Sequence, residues 1–282
     1  MPEISLVDKT LDQYTNQTEI AIQVSPGGLS FCIYTTIDKT ARAFRHYKLS
    51  NALLLEDILK FTREILQKDE LLQIPQQKAK VIFINRKSTL VPNEFFKPEL
   101  CKKLLEFNQP VSELDEIHFN SIDFCDSKHV FTLPTYFAGI IVDKLKNVVF
   151  YNQATPLLVL LNEIGCNKTG HSIMINLNNE FFDIAVMLDG RLIFYNNFLY
   201  VNSTDLLYFI LYVCRQLEID KETSCFYLTG EQSIKKELTD EISRYLKKIR
   251  MPTELGDIRF TPLTQKIELS RFATLLNLIK CG

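Results

Sequence analysis

One local pattern occurs twice in this chain. Ile20-Ala21-Ile22-Gln23-Val24 is followed by a polar tip, Ser25-Pro26-Gly27-Gly28, and a second apolar run from Leu29 to Tyr34. About 150 residues later, Ile173-Met174-Ile175-Asn176-Leu177 is followed by Asn178-Asn179-Glu180 and then Phe182 to Met187. Each copy turns at an aspartate, Asp38 or Asp189, into a third apolar run, 41–49 or 191–199, and then into a polar cap and a helical spacing. Short β-branched runs joined by polar tips read as hairpins. A duplicated β-β-β-α opening restricts the chain to two lobes of one kind: a first at 1–170 with an insertion near 86–146, and a second at 171–282. A length of 282 residues gives both lobes ordinary domain size. Folds of this kind often hold a ligand between the lobes.

The remaining segments extend both copies. Ser50 or Asn51 caps a helix on which Leu54, Leu55, Ile58, Leu59, Thr62, Ile65 and Leu66 share a face. Residues 80–85 read as a buried strand. Lys97-Pro98 opens a helix through Phe107, strands follow near 115–123 and 128–132, and Pro134 opens an apolar helix to about Leu145. A strand at 147–151 and a helix at 156–164 close the first copy. In the second, Ser203 or Thr204 caps a helix so apolar, from Leu206 to Leu217, that it is expected to be buried all round. A strand at 225–228 ends at Thr229-Gly230. A helix at 233–249 carries Ile234, Leu238, Ile242, Tyr245, Leu246 and Ile249 on one stripe. A strand near 257–261 and a helix at 268–280 complete the order βββαβαβα, an α/β chain of mixed sheets flanked by helices.

Composition narrows the function classes. The net charge is −2 and there is no basic block, which argues against nucleic acid as a partner, since phosphate neutralisation needs clustered Lys and Arg. Met1 to Gln17 is polar and acidic, without the apolar core of a signal peptide. The longest apolar stretch, Leu206 to Cys214, is too short to cross a bilayer, so no membrane insertion is expected. Seven cysteines, an odd number without a C-x-x-C pair, sit mostly in apolar runs. They point to a reduced, cytoplasmic protein.

The order βββαβαβα given twice resembles the ribonuclease-H-like duplication of the actin-like ATPase superfamily, which includes actin, sugar kinases, Hsp70-type chaperones and pilus-assembly and division ATPases. Ser25-Pro26-Gly27-Gly28-Leu29-Ser30-Phe31, Thr89-Leu90-Val91-Pro92 and Thr132-Leu133-Pro134 are similar to an uncharacterised bacterial family, the DUF3822 proteins of Bacteroidetes, over nearly the whole chain. The superfamily resemblance implies a D-x-G phosphate loop at the first hairpin of each lobe, whose carboxylate holds the Mg²⁺ water shell. Here those positions read Gln23-Val24-Ser25 and Asn176-Leu177-Asn178. Amides replace both carboxylates, and an amide supplies no charge to attract Mg²⁺. Gly27 and Gly28 lie just beyond, where a Gly-Gly pair is ordinary turn chemistry. The superfamily's adenosine element, an apolar strand ending in Gly-Gly, is matched by Phe226-Tyr227-Leu228-Thr229-Gly230-Glu231, with Glu231 in place of the second glycine. The resemblance therefore implies cleft positions at Gln23, Ser25, Gly27, Gly28, Asn176, Asn178, Thr229 and Gly230, no catalytic residue, and no ATP hydrolysis. Two readings follow. One is a scaffold or protein-interaction module, with a protein partner or a second copy and no cofactor. The other is an ATPase-like protein that binds ATP or ADP at a diverged site.

Other chemistry is thin. Residues 118–129 collect His118, Asp123, Cys125, Asp126 and His129, but their spacing matches no zinc pattern, so no metal site is assigned and zinc ranks as the last alternative. His46 and His171, at strand edges, are expected to face solvent. H-E-x-x-H, G-x-S-x-G, G-x-x-x-x-G-K-[ST] and G-x-G-x-x-G do not occur. Asp240-Glu241 reads as a solvated helix face. Gln23 and Asn176 also remove the metal-binding acids that a ribonuclease-H-type nuclease needs. The run Phe194 to Tyr200 is expected to pack its aromatics against helices.

Overall fold

Strands that are apolar at nearly every position need cover on both faces, and the repeated hairpins supply the middle of two sheets. The computed structural model describes residues 1–50, 54–165, 169–231 and 236–282. Backbone contacts divide the chain into two compact units. One comprises Met1–Thr155, Asp257–Ile267 and Leu278–Gly282; the other comprises Pro156–Gly256 and Glu268–Asn277.

The first unit contains β1 (Ile4–Val7), β2 (Thr18–Ser25), β3 (Gly28–Thr35), β4 (Thr40–Lys48), α1 (Leu55–Lys68), β5 (Ala79–Phe83), β6 (Ser88–Pro92), α2 (Cys101–Glu106), β7 (Asp115–Ile122), β8 (Ser127–Pro134), α3 (Thr135–Val142) and β9 (Val148–Tyr151). Its main sheet has the order β1-β4-β3-β2-β5-β9. The meander β2-β3-β4 is antiparallel, and β5 and β9 add in parallel. A core of Ile22, Phe31, Ile58, Leu66, Val81 and Phe137 joins this sheet to α1 and α3. A smaller sheet, β6-β8-β7, has its own cluster of Val91, Cys101, Leu105 and Val130 against α2.

The second unit holds most of α4 (Ala154–Gly165), then β10 (His171–Leu177), β11 (Phe181–Leu188), β12 (Arg191–Leu199), α5 (Ser203–Gln216), β13 (Cys225–Thr229), α6 (Lys236–Ser243), β14 (Ile249–Arg250) and α7 (Ala273–Asn277). The order β12-β11-β10-β13-β14 repeats the relation β4-β3-β2-β5-β9, antiparallel in the meander and parallel beyond it. The duplicated mixed α/β architecture is therefore present in both units.

Several elements differ from the sequence expectation. The N-terminal segment forms β1, which pairs antiparallel with β4 and places Ile4 opposite His46. With β1 beside it, β4 is an interior strand, and His46 is 2% exposed rather than at the surface. The expected 233–249 helix stops at Ser243 among the described residues, and Ile249 and Arg250 form β14, the fifth strand. Pro252 keeps Met251 out of the helical region, so a helix could not have run past Arg250. Residues Arg259–Phe260 form β15, which pairs in parallel with Thr40 and Ala41 of β4 and so belongs to the first unit's sheet. Leu54 and Leu55, expected on the buried face of α1, are exposed, and Ile58, Thr62 and Leu66 carry that face. Leu54, rather than Ser50 or Asn51, is the N-cap of α1; Asn51 and the stripe residue Ile234 lie outside the described residues.

Candidate functional site

In both units the resemblance positions fall at the carboxyl ends of parallel strands, where open α/β sheets place ligands. In the first unit, Gln23, Ser25, Gly27 and Gly28 share the β2–β3 hairpin. Ser25 stands opposite Gly28, and Pro26-Gly27 forms the tip. Ser25 Oγ accepts the Gly27 N–H at 3.1 Å and donates to Gly28 O at 3.4 Å. Gly27 O accepts the Leu49 N–H at 2.9 Å, which ties the tip to the end of β4. Gly28 has φ +147°, and a Cβ there would lie 2.0 Å from Tyr47 O. Gly28 thus serves the close approach of hairpin and β4.

Beside this hairpin, the ends of β5 and β9 carry an amide cluster that the sequence reading missed. Asn152 and Gln153 are completely buried. Their side chains both donate to Asn85 O, at 3.1 and 2.8 Å, and Gln153 Oε1 accepts the Asn85 N–H at 3.3 Å. The Asn85 side chain donates to Thr132 O and accepts from the Lys87 N–H. The signal was a carboxamide directly after an apolar run, at Ile84-Asn85 and Tyr151-Asn152-Gln153.

In the second unit, Asn176, Asn178, Thr229 and Gly230 gather around Asp183, a residue the sequence reading did not select. Asp183 stands opposite Asn176 on β11 and is 0% exposed. Its Oδ2 accepts from Asn176 Nδ2 at 3.0 Å and from Asn178 Nδ2 at 3.2 Å, and its Oδ1 accepts from Tyr195 OH at 3.0 Å. Asn176 Oδ1 accepts from Thr229 Oγ1 at 3.2 Å, so both ends of that amide are occupied. Gly230, φ +96°, donates its N–H to Ser270 O, and a Cβ there would lie 2.5 Å from Leu177 O and 2.8 Å from Asn176 Oδ1.

The chemistry of these donor sets does not fit a magnesium–phosphate group. A hydrated Mg²⁺ needs a carboxylate facing its water shell. Asp183 is buried, and its two oxygens already take three hydrogen bonds. The side chains of Ser25, Asn85, Gln153, Asn176, Asp183 and Thr229 are bonded to groups of their own unit, which is how buried polar networks avoid a desolvation penalty.

Three further clusters bring together titratable side chains. Ser30 Oγ lies 2.8 Å from His46 Nδ1, and His46 Nε2 lies 3.3 Å from Glu3. The chemical order is that of a nucleophile triad, but Ser30 is a cross-strand neighbour of His46 and is buried, so no substrate reaches it. Lys80 is buried in β5 and donates to Ile279 O at 3.0 Å; burial lowers its pKa. In the 118–129 segment, His118 pairs with Glu116 at 3.3 Å, whereas His129 is fully buried with Nδ1 2.9 Å from Thr155 Oγ1. Among the described residues, no three metal-binding side chains come together.

Comparison with known proteins places this geometry. A protein of Bacteroides thetaiotaomicron with actin-like ATPase fold and unknown function matches with a TM-score of 0.80 and 19% identity, over 96% of this chain and 98% of that one. A chain of the PilM–PilN type IV pilus biogenesis complex matches with a TM-score of 0.63 and 11% identity, over 93% and 97%. No curated protein matches by sequence. The family model described as "Protein of unknown function (DUF3822)" matches residues 8–249. The chain therefore has the actin-like ATPase fold and belongs to the DUF3822 family.

Proposed function

We propose that this chain is a non-catalytic scaffold or protein-interaction module in which the phosphate loops of an ATPase fold have become structural. The observation that carries the reading is the state of Asp183. Its carboxylate and the Asn176 amide satisfy one another and their neighbours, leaving no charge directed at a ligand. The partner is a protein, either a second copy or another chain. A relative in fold occurs in a complex, PilM with PilN, which supports a partner-binding role. The six described cysteines are all free, which supports the cytoplasmic location expected from the sequence. No helix among the described residues is long and apolar enough to cross a membrane.

Isothermal calorimetry with ATP and ADP, each with and without Mg²⁺, tests this reading; the expected result is no binding heat at millimolar nucleotide. A second reading, nucleotide binding at a diverged site, is favoured by one fact: Asp183 is a carboxylate directly across the hairpin from a lost one. It requires Mg²⁺-dependent heat that Asp183→Asn abolishes.

A further inference from the structure

We propose that a crevice at the amino ends of β5 and β9 seats the C-terminal residue of a partner protein, its apolar side chain inside and its carboxylate on Lys144 and Lys146. The inference deepens the interaction-module reading and rests on it. β5 runs parallel to β2 with Ala79 opposite Ile20 and Phe83 opposite Val24, so this end of the sheet is the one away from Ser25 and the phosphate-loop positions. The crevice lies between residues 72–76, which follow α1, and residues 144–146, which follow α3. Leu72, Ile74, Ala79 and Leu145 supply its apolar lining, and its volume is about 200 Å³. A cavity of about 150 Å³ admits benzene, whereas pockets for larger ligands run to about 300–1,000 Å³. One ring or branched side chain therefore fits, and a nucleotide does not.

The walls are tied to each other and to the sheet. Ala79 N–H donates to Asn147 O at 3.3 Å, and Asn147 Nδ2 donates to Gln77 O at 2.8 Å. Asn147 has φ +51°, a left-handed conformation that asparagine adopts more readily than most side chains. Gln77 N–H donates to Thr18 O at 3.0 Å and Leu145 N–H to Ile141 O at 2.9 Å. A crevice fixed in this way costs an occupant little in ordering its walls.

The lining also specifies the chemistry of the occupant. Lys144 and Lys146 are exposed, neither has an ion-pair partner among the described residues, and no carboxylate lines the crevice. The end of α3 is closed by main-chain bonds, with Ile141 O accepting the N–H groups of Lys144 and Leu145 and Gly139 O that of Asp143, so neither lysine side chain is needed as a cap. Two cations beside an apolar recess select an apolar group that carries an anion. Gln76, also in the lining, donates from Nε2 to Ile74 O at 3.2 Å, while its Oε1 is buried without a partner. An acceptor in that state lacks a donor. A C-terminal residue brings an apolar side chain, a carboxylate and an N–H together, and C-terminal carboxylate capture is a recurring mode of peptide recognition. A free amino acid brings an ammonium instead, which two lysines repel.

The test titrates N-acetyl-L-phenylalanine, up to about 10 mM, into the full ¹⁵N-labelled chain. Saturable shifts of the Ala79, Leu145 and Lys146 amides are expected, with a Kd of about 1 mM or below. N-acetyl-L-phenylalaninamide, which lacks the carboxylate, and free phenylalanine should each bind at least about fivefold more weakly, the combined worth of two exposed charge pairs. The acid should lose the same factor against Lys144→Gln with Lys146→Gln, a surface variant whose melting temperature should match the wild type. No saturable shift at these amides overturns the proposal. So does equal binding of the amide or of the free amino acid, or full affinity in the double variant. None of these outcomes involves nucleotide, so the interaction-module reading stands or falls separately on the calorimetric titration.

Discussion

Asp183 sits in the middle of Phe181-Phe182-Asp183-Ile184-Ala185-Val186, a run in which a charge is out of place unless something pairs it. That signal was available in the sequence but was outweighed by the first-strand positions Gln23 and Asn176, where the resemblance directs attention. The three donors aimed at Asp183 are what make it legible in the structure. Asp183→Asn keeps the shape but turns one acceptor into a donor, so at least one of Asn176, Asn178 and Tyr195 loses its partner. The expected cost is about 2–4 kcal/mol, read from urea denaturation at neutral pH. A variant as stable as the wild type would mean that the network is not structural. His129 gives a second residue-scale prediction. Burial pushes its pKa down to about 3, against about 6.5 in the unfolded chain. The unfolded state thus takes up a proton that the fold refuses. The stability is fully present above about pH 6.5 and is lost as pH falls toward 3, at up to about 1.4 kcal/mol per pH unit. His129→Gln should flatten the stability profile between about pH 6.5 and 5, above the range where most carboxylates titrate.

At the scale of elements, the two hairpins were legible because period, tip chemistry and length agree. Pairing partners across long separations were not. Residues 257–261 carry a strand pattern, but nothing in Ile258-Arg259-Phe260 says that β4, more than 200 residues earlier, is the neighbour. The same gap hid β1, and with it the burial of His46. α5 was expected to be covered all round, yet Tyr208 and Tyr212 are exposed. A tyrosine counts as apolar in a spacing argument, but its hydroxyl tolerates water, so it suits a helix face left open. The β2–β3 hairpin gives the element-scale prediction. If Gly28 serves β4 rather than a ligand, Gly28→Ala must push Tyr47 O out of the way in a backbone region that alanine resists. A loss of at least about 2 kcal/mol is expected in a thermal or urea melt. A neutral substitution would return Gly28 to the list of ligand-approach positions.

For the whole molecule, the fold and the chemistry have separate origins. Strand order β4-β3-β2-β5-β9 and its repeat β12-β11-β10-β13-β14 depend on apolar patterning, which tolerates the exchange of a few polar residues at strand ends. Ligand chemistry depends on those few residues alone. In this chain they are amides, hydroxyls and one enclosed acid, each bonded within its own unit. The consequence can be measured by linkage. A ligand that binds only the native state at 1,000 times its Kd adds about 4 kcal/mol, several degrees of melting temperature for a chain of this size. Millimolar ATP or ADP with Mg²⁺ would show that shift for any micromolar site. The closed networks predict a melting temperature that nucleotide leaves within about one degree, whereas Asp183→Asn in the second unit and Gly28→Ala in the first lower it without any ligand. A nucleotide shift of several degrees would instead mean that the hydrogen bonds around Asp183 exchange for ligand contacts, and the enclosed acid would then be the residue to follow.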